Sequence, residues 1–156
     1  LNFDGAAADL SAGTFQFDLK TDGQAKDLPL LGSATAFLAL DRNHDGQVNN
    51  GSELFGPATG QGFSELAQYD SDQNGWIDEN DPIFRDLRLW QPAADGPGNL
   101  LTLAEKNVGA IYLDSAATPF TYKDASGQAQ AATSATSVFL QENGTAGTIQ
   151  ELNYFA

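Results

Sequence analysis

Residues 14–19 (TFQFDL) alternate apolar and polar side chains with period two, the pattern of a half-buried strand. Asp22-Gly23 marks the turn behind it, and Pro29 and Gly32 close an N-terminal block of short apolar clusters. Residues 34–40 (ATAFLAL) are apolar but for Thr35, so periodicity leaves both a short helix and a buried strand open. Residues 53–55 (ELF) predict a brief helix ended by Gly56-Pro57. Residues 63–69 (FSELAQY) place Phe63, Leu66 and Ala67 on one helical face. Residues 82–89 (PIFRDLRL) predict a second helix, with Pro82 at a tolerated early position and apolar residues at 83, 84 and 87. A Pro/Gly loop over residues 91–99 follows. Thr102 and Glu105 have capping-box spacing and predict a short helix. Residues 108–113 (VGAIYL) read as a strand. Residues 120–155 read as antiparallel strands, turned at residues 124–127 and at Asn143-Gly144.

An internal repeat runs through residues 34–90 with an offset of 29 residues. Asp41 matches Asp70, Asn43 matches Asp72, Asp45 matches Asn74 and Gly46 matches Gly75. Val48 matches Ile77, Asn49 matches Asp78, and Leu54-Phe55 match Ile83-Phe84. One such unit cannot bury its own apolar face, so two copies predict a packed pair with Val48 beside Ile77.

The repeated residues are those of a cation loop. Calcium takes six to eight oxygens, and a tight loop supplies them from positions 1, 3, 5, 7, 9 and 12, with Gly at position 6 for the sharp turn. In the second loop Asp70, Asp72 and Asn74 fill positions 1, 3 and 5. Trp76 offers its carbonyl at 7, Asp78 stands at 9 and Asp81 at 12. Asp81 is shorter than the usual Glu, which predicts one-oxygen binding and weaker affinity. In the first loop Asp41, Asn43 and Asp45 fill positions 1, 3 and 5, Gln47 offers a carbonyl at 7, and Asn49 stands at 9. Ser52 falls at position 12 and the acid comes one residue later, at Glu53, with Gly51 absorbing the extra residue. Trp76, whose side chain takes no part in ligation, is expected to be partly exposed. Residues 18–23 (DLKTDG) put Lys20 where a ligand oxygen belongs, and an ammonium there opposes a divalent ion.

Charge sharpens this picture. Twenty-one Asp and Glu against seven Lys and Arg leave a formal charge of −14, which repels phosphate backbones and anionic membranes. The absence of Cys removes disulfides, thiolate metal sites and cysteine nucleophiles together. No apolar run approaches the length of a membrane span. The chain opens at Leu1 and has no Met, so it is expected to be part of a longer polypeptide whose export signal lies outside it. His44 is the sole histidine, and no Ser/His/Asp set or phosphate loop is recognisable. Paired acids such as Glu53 and Glu65 are therefore weak grounds for a hydrolase.

Residues 37–56 (FLALDRNHDGQVNNGSELFG) and 63–91 (FSELAQYDSDQNGWIDENDPIFRDLRLWQ) resemble the EF-hand-like calcium-binding module of secreted RTX (hemolysin-type) bacterial proteins. Residues 87–90 (LRLW) and 102–105 (TLAE) extend the resemblance, which covers roughly residues 1–115. The resemblance implies two calcium ions and a secreted or cell-surface location. Some members of that group are calcium-dependent self-processing modules that cut an Asp-Pro bond just before the module. Residues 1–5 (LNFDG) resemble the end of the corresponding segment, so such a bond would lie upstream of residue 1.

These readings predict a single calcium-binding domain over residues 1–156, of α+β class. N-terminal strands occupy residues 1–32, paired EF-hand-like loops with short helices occupy 34–90, and a short helix plus antiparallel strands occupy 100–156. The predicted function is calcium-dependent folding of a secreted multidomain protein. Its expected partners are calcium and neighbouring domains, with no nucleic acid and no membrane insertion. Self-processing upstream of residue 1 is the alternative.

Overall fold

A computed structural model describes residues 1–5 and 7–155. Ten strands carry the fold: β1 Leu10–Phe17, β2 Lys26–Leu31, β3 Phe37–Leu40, β4 Trp76–Asp78, β5 Leu87–Gln91, β6 Asn99–Thr102, β7 Val108–Tyr112, β8 Ala116–Lys123, β9 Ala129–Gln141 and β10 Ala146–Tyr154. Among the described residues there is one α-helix, α1 at Gly62–Ala67, and there are single 3-10 turns at Gly51–Glu53, Pro82–Arg85 and Ala104–Lys106. This overturns the expected α+β class with helix-flanked, paired loops: the molecule is β-rich.

The strands form three sheets. β1 and β2 make a hairpin, β3-β5-β6 make a small antiparallel sheet, and β10-β9-β7-β4 make the largest. The long β9 carries β10 along one edge, while β8 and β7 share the other. Period-two alternation in the small sheet divides the interior in two. Leu87 and Leu89 of β5 enter a core with Leu66, Ile77, Val108, Ile111 and Phe139. Trp90, on the opposite face, enters a second core with Phe15, Phe17, Leu28, Val48 and Leu54. Phe15 and Phe17 lie 5.7 and 4.9 Å from the Trp90 ring, which fixes the β1–β2 hairpin to the small sheet. Leu1 is buried, and its nitrogen donates to the Ala36 carbonyl at 2.7 Å. Where the chain begins with a free amine at Leu1, burial lowers its pKa to about 5. Among the described residues no helix is long and apolar enough to cross a membrane.

Two predicted helices fail for identifiable reasons. Residues 82–89 hold only a four-residue 3-10 turn, after which the chain becomes β5 and pairs on both sides, with β3 and β6. Leu87 and Leu89 fall on one face of that strand and Trp90 on the other, so both faces are buried. Within residues 53–55 the chain is already extended at Leu54 (φ −109°, ψ 163°), which bridges Ala39 instead of winding on. Residues 37–40, left open by periodicity, are a strand.

Candidate functional site

Both acidic stretches adopt one hydrogen-bond template, set by an aspartate at loop position 1. The Asp41 carboxylate accepts the N–H groups of Asp45 at 3.2 Å and Gly46 at 2.8 Å. Asp70 accepts those of Asn74 at 3.2 Å and Gly75 at 2.9 Å. Positions 4 and 6 are left-handed in each, at His44 (φ 60°) and Gly46 (φ 79°), and at Gln73 (φ 57°) and Gly75 (φ 84°). Glycine meets that demand at position 6 without steric cost.

A buried acid closes each loop. Glu53 is 3% exposed and accepts the N–H groups of Arg42 at 3.0 Å and Asn49 at 2.8 Å. Asp81 is 2% exposed and accepts those of Ser71 at 2.7 Å and Asp78 at 3.1 Å. These donors are loop positions 2 and 9 in both cases. Glu53, longer by one methylene and later by one residue, thus does what Asp81 does. The extra residue is taken up in the Gly51–Glu53 turn. A Cβ at Gly51 would overlap the Leu19 carbonyl oxygen. Ser71 was not singled out by the sequence, yet its hydroxyl also donates to Asp81, at 3.0 Å.

Asp70, Asp72 and Asp81 present carboxylate oxygens that all lie within 4.8 Å of one another. Among the described residues this is the only such trio of His, Cys, Asp or Glu; Asp41, Asp45 and Glu53 do not converge as closely. Asn43 replaces an acid in the first loop, and its amide nitrogen donates to Asp45 at 3.2 Å and Asn49 at 2.9 Å. In the second loop the Asn74 amide nitrogen donates to Asp72 at 3.1 Å and Asp78 at 3.2 Å. Positive dipole ends thereby stand among the predicted ligand oxygens.

Electrostatics follow the crowding. Desolvation, and then the Asp70 and Asp81 carboxylates, raise the Asp72 carboxyl above its usual range. Burial alone would also raise Asp81, but the N–H groups of Asp78 and Ser71 outweigh it and hold that carboxyl low. The N–H of Gln47, then the Asn49 and Asn43 side chains, lower Asp45. Clustered carboxylate and amide oxygens are the ligand type that hard cations take. His44, the sole histidine, is exposed and is not in the trio.

The two loops do not pair through their apolar residues, although Arg42 Nη1 in the first donates to the Tyr69 hydroxyl, just before the second, at 3.3 Å. Ile77 lies opposite Ile111 in the β4–β7 ladder and enters one core, while Val48 enters the other. The expected ladder between Val48 and Ile77 is therefore absent. Trp76 is half-buried and stacks on Tyr112, the ring centroids 4.6 Å apart. The Trp76 backbone N–H donates to Asn74 Oδ1 at 2.8 Å, as that of Gln47 does to Asp45 Oδ1 at 2.9 Å.

A third turn repeats the template. Asp18 accepts the N–H groups of Asp22 at 3.1 Å and Gly23 at 2.8 Å, and Asp22 accepts that of Gln24 at 2.9 Å. Thr21 (φ 56°) and Gly23 (φ 82°) take the left-handed positions. The Asp-x-x-x-Asp-Gly spacing was the signal for this shape, whatever Lys20 does to its chemistry.

The chain is similar to the Iron-regulated protein FrpA of Neisseria meningitidis serogroup C, with 30% identity over an alignment of 109 residues that covers 62% of this chain. The match spans 10% of that relative's length. The model of one family matches residues 1–155, and on that match the chain belongs to the SPM domain family.

Proposed function

We propose that this chain is a calcium-binding module, taking one ion in each acidic loop and gaining stability when they bind. Asp70, Asp72, Asn74, Asp78, Asp81 and the Trp76 carbonyl would hold one ion. Asp41, Asn43, Asp45, Asn49, Glu53 and the Gln47 carbonyl would hold the other. The observation that carries the reading is the convergence of Asp70, Asp72 and Asp81 in a loop already folded by its own N–H groups. Bound calcium supplies two positive charges that offset the carboxylates. The chain contributes preorganisation: Asp70 and Asp81 are fixed by backbone donors, so little ordering is left to do. Its net charge of −14 favours divalent cations over anionic partners.

We place the module in an exported protein, where abundant extracellular calcium fills even weak loops and assists folding. Calorimetric titration of the chain with calcium tests the reading, with Asp41→Ala and Asp70→Ala run beside it. Two ions for the parent and one for each variant are expected. A parent that takes up no heat at millimolar calcium, and melts unchanged there, would end the proposal.

A further inference from the structure

The turn over residues 18–24 touches the first loop at the bend that brings in Glu53. Asp18 and Asn50 form a parallel bridge, and the Gly51 N–H donates to the Asp18 carbonyl at 2.9 Å. Thr21 Oγ1 reaches Asn50 Oδ1 at 3.4 Å. Gly51 packs so closely under Leu19 that no side chain fits. Asn50 and Gly51 lie between Asn49, whose N–H grips Glu53, and Glu53 itself. The bend that sets the closing acid is thus the bend that grips the turn. The same turn follows directly from β1, whose Phe15 and Phe17 pack on Trp90.

We propose that the turn over residues 18–24 is the first loop's structural partner, and that ion occupancy of that loop and order in the turn are coupled through Asn50 and Gly51. This rests on the calcium reading above. It assigns no ion to the turn, in which Lys20 stands at the third position and no closing acid follows. In a paired unit the second loop would brace the first; here Ile77 braces β7 instead, and the bracing contact comes from Asp18. Coupling of this kind is reciprocal: the ion protects the turn, and the intact turn tightens the ion site.

Two measurements on the full chain test it. Amide exchange at Asp22 and Gly23, whose N–H groups Asp18 accepts, is followed with and without calcium. Protection is expected to rise on calcium addition. Asp18→Ala, which removes that acceptor and no predicted ligand, is then titrated in the Asp70→Ala background so that only the first loop reports. Its calcium affinity is expected to fall about fivefold or more, the low end of common coupling energies. Asp18→Asn, which keeps an acceptor oxygen, should recover part of the loss, separating coupling from general unfolding. Calcium bound by the parent with exchange at Asp22 and Gly23 unmoved would overturn the coupling and leave the calcium reading standing. A parent that binds no calcium would overturn both.

Discussion

Replacing Asp81 by Asn changes one atom for another of nearly equal size in a side chain that is 2% exposed. The carboxylate accepts from the Ser71 N–H at 2.7 Å, the Ser71 hydroxyl at 3.0 Å and the Asp78 N–H at 3.1 Å. An amide offers one acceptor and turns a donor toward whichever N–H faced the lost oxygen. Hydrogen bonds to a charged group contribute about 1.5–3 kcal/mol each, and an orphaned buried donor costs about 1–3 kcal/mol. Relief of repulsion at Asp72 returns a smaller amount. The net expectation in chelator is a loss of about 2–4 kcal/mol, or about 5–15 °C in Tm for a chain of this length. Circular dichroism melts in chelator and in saturating calcium measure it. The gap should widen in calcium, because the parent gains binding free energy that the variant forfeits in part. Melting within about one degree of the parent in chelator would refute the claim that Asp81 clasps the loop. An equal gap in both conditions would make Asp81 a clasp without a ligand role.

Further outcomes follow from other residues. Asp72→Asn should raise the melting temperature in chelator, since crowding holds that carboxyl above its usual range, and lower calcium affinity in a titration. Thr21 is β-branched at φ 56°, so Thr21→Asn should stabilise the chain by up to about 1 kcal/mol in urea unfolding. In the 156-residue chain with a free amine, the folded state binds fewer protons at Leu1 than the unfolded state. Stability in chelator should therefore climb from about pH 5 to pH 8, and an acetyl cap should flatten that rise. Trp76 stacks on Tyr112 beside the second loop, so its emission should shift on calcium addition, and Trp76→Phe should abolish the shift.

The acidic loops were legible because their geometry is local. Asp at position 1 and Gly at position 6 specify the carboxylate-to-backbone bonds within six residues, and no distant part of the chain is needed. The capping box is equally local: Glu105 accepts from the Thr102 N–H at 2.7 Å, and Thr102 Oγ1 accepts from the Glu105 N–H at 3.2 Å. The turn residues at Gly127 and Gly144 likewise join β8 to β9 and β9 to β10. What each loop packs against was hidden. Val48 and Ile77 are equivalent apolar residues in the repeat, and only long-range pairing sends one to Trp90 and the other to Ile111. Residues 82–89 misled for a related reason. Four apolar positions in eight fit a helix or a doubly buried strand, and the neighbouring edges of β3 and β6 decided it.

The shortness of the flanking segments changes what a bound ion can accomplish. A loop hung between two long helices works as a lever, swinging its arms and baring a groove. Here the first stretch follows β3 directly and the second leads through a 3-10 turn into β5, with only the short α1 between the two. Filling such a loop leaves little to swing. The expected signal is rigidity: slower proteolytic nicking at an almost constant outline, so that a pair of distance probes stays silent while a protease reports the change.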